Sequence, residues 1–124
     1  MHIVLADRET DLMEVLWEHG ASTVAEVREK LKVKLAYTTV LTILRNLERK
    51  GYVGHEEEGR AHRYRALMPR DAARRSALKD LASKFFDGST ELLMTHLVSD
   101  QKLTGEQVRR MRRLLDRRAK RDKP

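Results

Sequence analysis

The segment from Ala36 to Gly51 constrains the fold most, because as a helix it has two chemically different faces. Val40, Leu44 and Leu47 repeat at i, i+4 and i+7, so this side is expected to pack into a core. The opposite side is polar and cationic, and it carries Thr38, Thr42, Arg45 and Arg49. Compact threonines and forked guanidinium groups suit the major groove of DNA, so the segment is a candidate recognition helix. The alternative is an ordinary amphipathic surface helix.

Charge is distributed unevenly along the chain, although the net charge is +7. Residues 1–29 carry seven acidic and two basic side chains, whereas residues 30–65 carry nine basic and four acidic ones. Residues 109–124 carry nine basic and two acidic side chains. The two positive blocks predict a polyanionic partner. For the C-terminal block, simple solubility is an equally open interpretation.

The sequence lacks the signatures of several classes of protein. It has no cysteine, which excludes disulfides and thiolate metal sites. It has no phosphate-binding loop, dinucleotide fingerprint or nucleophile elbow, so we expect neither an enzyme nor a cofactor. His55 and His62 face each other across a predicted hairpin, but no third ligand is nearby, so no metal is expected. No window approaches the roughly 20 apolar residues of a membrane helix, and the first apolar run is too short for a signal peptide, so no membrane insertion is expected.

Helical periodicity and capping residues predict three helices in the first half of the chain. The first covers about 8–19 and is expected to be capped by Asp7. The second begins at Thr23, where Glu26 three residues later completes a capping box. A turn over 32–35 leads to the candidate recognition helix. This spacing of two helices around a short turn is typical of a helix-turn-helix.

After Gly51 the hydrophobic period changes from that of a helix to that of strands. Two short strands are predicted over 52–57 and 60–67, joined by a turn at Glu58 and Gly59. Three helices followed by a β-hairpin predict a winged helix-turn-helix domain at residues 1–68. The fold class is therefore mainly α with a small β-hairpin, followed by a second helical domain.

Residues 69–124 are predicted to form a helical dimerisation domain with a basic tail from Arg117 to Pro124. Its three helices are expected to begin at Asp71, at Ser89 or Thr90, and at Thr104. Their apolar positions are Leu78, Leu81, Ala82, Phe85, Phe86, Leu92, Leu93, Leu97, Val108, Met111 and Leu115. A few dozen residues cannot easily bury these faces alone, so a homodimer is expected. The alternative is that the fourth helix folds back onto the winged domain.

Three side chains of the candidate recognition helix have alternative roles, and a fourth extends its charge. Arg45 is expected to pair with a guanine edge, with a phosphate contact as the alternative. Asn46 either reaches adenine or faces solvent, and Tyr37 either bonds a phosphate or packs. Arg49 extends the cationic face of the helix.

Further candidates lie on the same helix, in the turn before it and on the hairpin. The helix also carries three threonines expected to contact thymine methyl groups or phosphates, Thr38, Thr39 and Thr42. For Thr38, capping at the start of the helix is the alternative. Lys34 lies in the turn, near the expected path of the DNA backbone. Arg60 and Arg63 on the hairpin are expected to contact backbone or minor groove, with a solvated hairpin as the alternative.

Several runs of residues resemble the penicillinase-repressor family of BlaI/MecI type. They are Leu16-Trp17, Thr23-Val24, the run from Leu35 to Thr42, Lys50-Gly51, Glu58-Gly59-Arg60-Ala61 and Tyr64. The Ala-Tyr-Thr-Thr-Val-Leu-Thr run and its spacing to Gly-Arg-Ala are highly specific for that family. The resemblance implies a cytoplasmic bacterial repressor that binds a palindromic operator as a homodimer. It also implies that the winged domain binds DNA and that the C-terminal helices form the dimer.

Two departures from the family pattern concern induction. Copper-responsive relatives carry a C-terminal cysteine cluster, which this chain lacks. Some members are inactivated when a membrane-bound sensor triggers cleavage in the helix that matches Leu92–Val98, so the resemblance implies such a sensor and protease as candidate partners. The bond in register lies near His96–Leu97, which differs from the Asn-Phe pair of staphylococcal-type members.

The leading hypothesis is therefore a sequence-specific transcriptional repressor that acts as a homodimer on double-stranded operator DNA. A non-specific architectural DNA binder driven by the basic tail is one alternative. A winged-helix module that binds proteins is another.

Overall fold

The computed structural model describes residues 2–122, which divide into two compact units. The first unit ends at Asp80 and the second begins at Leu81, so the division falls inside one helix. The elements in chain order are α1 (Asp7–His19), β1 (Ser22–Thr23), α2 (Val24–Lys30), α3 (Tyr37–Arg49), β2 (Val53–Glu58), β3 (Ala61–Ala66), α4 (Arg70–Phe85), α5 (Thr90–Asp100) and α6 (Gly105–Arg121). The predicted fold class, mainly α with a small antiparallel sheet, is confirmed.

The first unit is built around one apolar core, to which its helices, β2 and β3 contribute. The predicted stripe of α3 is confirmed, because Val40, Leu44 and Leu47 are completely buried. The other buried apolar side chains of this core are Ile3, Leu12, Met13, Val15, Leu16, Val24, Val27, Val53, Tyr64 and Met68. Burying a side chain of this size contributes roughly 1.5–3 kcal/mol, so the core fixes the position of α3.

The sheet has three antiparallel strands in the order β1-β3-β2, one more than the predicted hairpin. The additional strand, β1, is only two residues long, which is too short for alternation to reveal. Glu58 pairs with Ala61, so the hairpin turn is Gly59-Arg60, one residue later than predicted. Gly59 occupies the first position of this turn and has φ +61°. This is a left-handed conformation, which glycine adopts without steric cost.

The helix starts differ partly from prediction. The capping box of α2 is confirmed, since Thr23 Oγ1 accepts from the Glu26 amide and Glu26 Oε1 accepts from the Thr23 amide, both at 3.2 Å. Capping of α1 by Asp7 is wrong, because Asp7 is already the first helical residue. Instead, Glu9 Oε1 accepts from the Ala6 amide at 2.9 Å.

An ion-pair network connects the hairpin to the start of α2. Arg63 Nη1 lies 3.2 Å from Glu26 Oε1, and Arg63 Nε donates to Glu58 Oε2 at 2.6 Å. Arg63 Nη1 also donates to the Ala21 carbonyl at 3.1 Å. The hydrogen bond to Glu58 and the charges of both carboxylates raise the pKa of Arg63. Hydrogen bonds from Thr23, together with the charge of Arg63, lower the pKa of Glu26.

The first half of α4 belongs to the first unit, so this unit extends past the predicted boundary at residue 68. Ala72 and Ala73 pack against the core, and Ser76 is buried. Ser76 Oγ accepts from the Ile3 amide at 2.8 Å, which connects α4 to the N-terminal segment. This part of α4 therefore packs on the core of the first unit, and dimerisation through the remaining helices stays a prediction.

The second unit contains the end of α4, all of α5 and all of α6. Ser89, rather than Thr90, caps α5, since its Oγ accepts from the Leu92 amide at 3.0 Å. The predicted capping box of α6 is confirmed, with Thr104 Oγ1 accepting from the Gln107 amide at 3.1 Å. The tail that was expected from Arg117 is helical as far as Arg121. The backbone hydrogen bonds of α6 continue to this end, where the Asp122 amide donates to the Arg118 carbonyl at 3.3 Å. The last two tail residues, 123–124, lie outside the described residues.

Replacing Leu47 by alanine should lower the free energy of unfolding by about 2–5 kcal/mol, because the substitution leaves a cavity at a completely buried position of α3. Urea denaturation followed by circular dichroism measures this change. Thr39→Ala, at an exposed position of the same helix, should change stability by less than about 0.5 kcal/mol. Equal losses in the two variants would contradict the assigned orientation of α3.

Replacing Glu26 by glutamine should destabilise the protein at neutral pH but not at acidic pH. The folded-state pKa of Glu26 is lowered from 4.5, so its charge stabilises the fold above that pH. This contribution disappears as the pH falls below 4.5 through the lowered pKa. Urea denaturation of wild type and variant over a pH series tests the effect. Glu29→Gln, an exposed position of the same helix, is the control and should show no such convergence at low pH.

Candidate nucleic-acid interface

The polar stripe of α3 is exposed on the side of the helix opposite the core. Thr38, Thr42, Arg45 and Arg49 are all exposed, as are Thr39 and Lys34. With about 3.6 residues per turn, this stripe lies directly across the helix from Val40, Leu44 and Leu47. Because those three side chains anchor the helix, the stripe is presented on a rigid element.

Two hydrogen bonds order parts of this stripe. The Thr42 hydroxyl donates to the Thr38 carbonyl at 2.9 Å. Arg49 Nη1 donates to Asn46 Oδ1 at 3.0 Å. Asn46 is only half-exposed, so it lies at the border between the stripe and the core. Its amide nitrogen keeps its two donors, and its oxygen keeps one of its two acceptor lone pairs.

A groove of about 270 Å³ separates α3 from the hairpin. It brings together three of the predicted side chains, Tyr37 and Arg45 of α3 and Arg60 of the hairpin turn. The groove is completed by Thr23, Val24, Ala25, Leu41, Ala61 and His62. Two arginines on opposite walls make this groove cationic, with the 48% exposed ring of Tyr37 beside them.

Two further predicted residues of α3 lie on its second flank. Asn46 and Arg49 line a separate depression with Arg8 and Lys50, beside the start of α1. Lys50 Nζ donates to Glu9 Oε1 at 2.7 Å, and the Glu9 side chain is only 10% exposed. Cations therefore flank α3 on both sides, but the predicted residues do not form one pocket.

Arg63 is placed differently from Arg60, although both were predicted to contact a ligand from the hairpin. Its guanidinium group is held by Glu58, Glu26 and the Ala21 carbonyl within the first unit. It is half-buried, whereas Arg60 is exposed in the turn. Sequence reasoning did not separate them, because Glu26 is far from Arg63 along the chain and becomes its neighbour only through the pairing of β1 with β3.

The two hairpin histidines face each other, as the sequence indicated. The rings of His55 and His62 stack with centroids 4.5 Å apart and an interplanar angle of 9°. His55 Nδ1 lies 2.5 Å from Glu48 Oε2 of α3. Burial, with the nearby charge of Glu48, raises the pKa of Tyr64 beneath this pair. Among residues 2–122, no group of three potential ligands is arranged to hold a metal ion.

Six residues that line the groove were not predicted from the sequence to belong to the DNA-binding surface, namely Thr23, Val24, Ala25, Leu41, Ala61 and His62. Leu41 lies between the buried and polar faces of α3, which periodicity alone assigns to neither. His62 follows Arg60 by two residues in the chain, and this spacing was the only sequence signal that His62 lines the same groove. The start of α2 joins the groove through tertiary packing, which the sequence did not reveal.

Most of the predicted dimerisation residues are exposed in the single chain. The exposed ones are Leu78, Leu81, Phe85, Leu92, Leu97, Val108 and Leu115, while Ala82, Phe86 and Met111 are half-buried. Phe85 is the most exposed, at 73%. Leu93 differs, because it is only 6% exposed and is already covered within one chain. Val98 and Leu114 are exposed apolar side chains outside the predicted set.

No helix in the described part of the chain is both long and apolar enough to cross a membrane.

Comparison with known proteins agrees with this architecture. The penicillinase repressor family model matches residues 5–117. The penicillinase repressor of Bacillus licheniformis is 23% identical over 121 residues, covering 96% of this chain and 94% of that protein. The transcriptional regulator BlaI of Mycobacterium tuberculosis is 33% identical over 115 residues, covering 90% of this chain and 82% of that protein.

A solved structure supports the fold alone. A MarR family protein from Bacillus stearothermophilus aligns with a TM-score of 0.53 at 18% identity, covering 96% of this chain and 76% of that chain. This similarity agrees with the order of helices and the hairpin described above. The family match over residues 5–117 and the 33% identical regulator show that this chain belongs to the penicillinase repressor family.

Proposed function

We propose that the chain represses transcription by binding a palindromic operator in double-stranded DNA as a homodimer, in the cytoplasm. The observation that carries the proposal is the exposed threonine and arginine stripe of α3, held in place by the fully buried Val40, Leu44 and Leu47. A helix fixed in this way fits the major groove. Relatives named as a penicillinase repressor and as a transcriptional regulator support repression as the outcome.

In this proposal the groove flank of α3 supplies sequence discrimination. Arg45 is exposed and forms no ion pair among the described residues, so its fork is available for the O6 and N7 acceptors of guanine. Thr38, Thr39 and Thr42 contact thymine methyl groups or phosphates. Tyr37, at the first position of α3, bonds a phosphate, and Asn46 reaches adenine.

Phosphate contacts on either side position the helix in the groove. Arg60, in the hairpin turn, is proposed to contact backbone or minor groove on one side. Lys34 and Arg49 are proposed to do so from the loop and from the second flank. Arg63 has a positioning role instead, because its guanidinium already pairs with Glu26 and Glu58 and so holds the hairpin beside α2.

Dimerisation is proposed to occur through the second unit. Its exposed apolar side chains include Leu81, Phe85 and Leu97, and large contiguous apolar patches on soluble domains usually mark an interface. A two-fold dimer would present two copies of α3 to adjacent turns of a duplex, as a palindromic site requires.

Release from DNA by a membrane sensor and protease is part of the proposal only through the family resemblance. The corresponding bond near His96–Leu97 lies inside α5, where His96 Nδ1 contacts Asp100 Oδ2 at 2.9 Å. Cleavage there would require local unwinding of the helix. The cationic α6 favours one alternative function, a non-specific architectural DNA binder, which the following experiment separates from a repressor.

Selection of bound fragments from the source genome should enrich one dyad-symmetric sequence. Arg45→Ala should then flatten the differences in affinity among operator variants, because a bidentate arginine–guanine pair contributes about 1–3 kcal/mol of discrimination. Lys34→Ala should weaken every duplex by a similar factor. Arg74→Ala, an exposed cation of α4, serves as the control and should change neither. A uniform decrease for Arg45→Ala would contradict base recognition, and no enrichment by wild type would favour the architectural alternative.

Phe85→Glu should convert a dimer into a monomer, because it places a charge at the most exposed apolar position of α4. Sedimentation equilibrium should show the dissociation constant rising at least about tenfold, since burying an unpaired charge costs several kcal/mol. Ser83→Glu adds the same charge at an exposed neighbouring position and should leave the dimer intact. A wild-type protein that stays monomeric at every concentration would overturn the dimer proposal.

A further inference from the structure

The last helix carries an unusual line of arginines. Arg109, Arg113, Arg117 and Arg121 follow one another at intervals of four residues on α6, and we call this set the arginine ladder. Residues four apart are neighbours on a helix surface, so the ladder is continuous over about 18 Å. Arg110 and Lys120 flank it. No other helix of the described chain has four like charges at this spacing.

The ladder is exposed, and within residues 2–122 it has no acidic partner. Every residue of α6 is exposed except the half-buried Met111. The ion pairs of α6 within residues 2–122 join Arg110 to Glu106 and Arg118 to Asp122, at 3.0 and 3.6 Å. None of the four ladder arginines forms an ion pair in this range. Their charge is therefore available to a partner.

The ladder opposes helix formation in the isolated chain. Like charges at i, i+4 destabilise a helix, and the ladder contains three such pairs. The capping box of Thr104 and Gln107 supports only the other end of α6. A polyanion beside the ladder would remove this repulsion, so the charge pattern is complementary to a partner with closely spaced negative charges.

Most of the large apolar side chains of α6 lie on a different face from the arginine ladder, the exception being Leu114, which lies beside Arg117. Val108, Met111 and Leu115 lie together on one side, and the ladder lies across the helix from them. Covering the apolar face in a dimer would therefore leave the ladder open to solvent. The two faces can be used at the same time.

We propose that the arginine ladder of α6 is a second DNA-binding surface that contacts backbone phosphates outside the bases recognised by α3. This inference rests on the proposed function, because it takes the DNA already bound through α3 as its partner. Double-stranded DNA carries one charge per about 3.4 Å of each strand, which suits four cations within about 18 Å. The ladder adds affinity and salt dependence, but no sequence preference.

Duplex DNA fits the ladder better than an anionic membrane surface. Helices that lie on membranes insert aromatic and large apolar side chains, and α6 has no aromatic residue. Its apolar face is the one that the dimer proposal uses. A membrane partner is therefore treated as a competing outcome of the experiment.

The test is a salt titration of DNA binding by the full chain in which Arg113, Arg117 and Arg121 are all replaced by glutamine. Glutamine is a good helix former, so α6 should persist and thermal stability should not fall. The slope of log K against log salt should become shallower by about 0.9 for each phosphate that the variant no longer neutralises. Affinity should fall about tenfold or more at 0.1 M salt, by the same factor on the selected operator and on unrelated duplex.

Two matched variants make the result specific. Replacing Arg74, Lys79 and Lys84 of α4 by glutamine removes the same charge from exposed positions of another helix, and should leave the slope close to that of wild type. Replacing the same three arginines, Arg113, Arg117 and Arg121, by lysine keeps the charge and should preserve the slope of log K against log salt. An equal change in the α4 variant would show that only net charge matters and would overturn the inference.

The outcomes also separate this inference from the proposed function. If an operator is selected but the slope is unchanged in the glutamine variant, the ladder does not contact DNA while operator binding stands. If the slope falls but no fragment is enriched, the ladder stands and sequence-specific repression fails. If the slope is unchanged and wild type, but not the glutamine variant, binds vesicles of phosphatidylglycerol, the membrane is the partner and the inference is wrong.

Discussion

The burial of three aliphatic side chains of α3 is the constraint on which the rest of the first unit depends. Val40, Leu44 and Leu47 are completely covered, and the core around them receives side chains from α1, α2, the sheet and the N-terminal segment. Because dispersion and hydrophobic burial fix the helix along its whole length, its opposite face can be polar without a cost in stability. A surface that must fit a groove of fixed width needs this rigidity.

Polar contacts then set the position of the hairpin relative to this helix within the same unit. Arg63 joins the hairpin to Glu26 at the start of α2, while the stacked His55 and His62 lie beside Glu48 of α3. Individually, such half-exposed pairs contribute little to stability. Together they define the two walls of the groove that holds Arg45 and Arg60. The basic residues of positions 30–65 therefore have two roles. Arg63 holds the hairpin in place, whereas Arg45 and Arg60 remain exposed.

The second unit differs from the first in that its helices leave most of their large apolar side chains exposed. Its helices are well capped, yet they leave Leu81, Phe85 and Leu97 exposed, and α6 has no buried residue. Capping and propensity are sufficient to specify such helices locally, but a soluble domain does not normally leave this much apolar surface uncovered. The proposed association through the apolar faces and the proposed contact of the basic face with DNA would account for both features. Membership in the penicillinase repressor family agrees with a regulatory role.

Local sequence was sufficient to predict the order of the helices, the capping boxes at Thr23 and Thr104 and the buried stripe of α3, because each depends on residues close together in the chain. The family could be predicted because it depends on a specific motif. Tertiary structure alone decided what depends on distant residues. The two-residue strand β1 exists only through pairing with β3, and this pairing brings Glu26 to Arg63. Tertiary contacts also pair Arg63 with two carboxylates while Arg60 stays exposed in the turn. They cover Leu93, and they pack the start of α4 on the core of the first unit. Periodicity could not predict these contacts, because it identifies a face of a helix but not the surface that covers it.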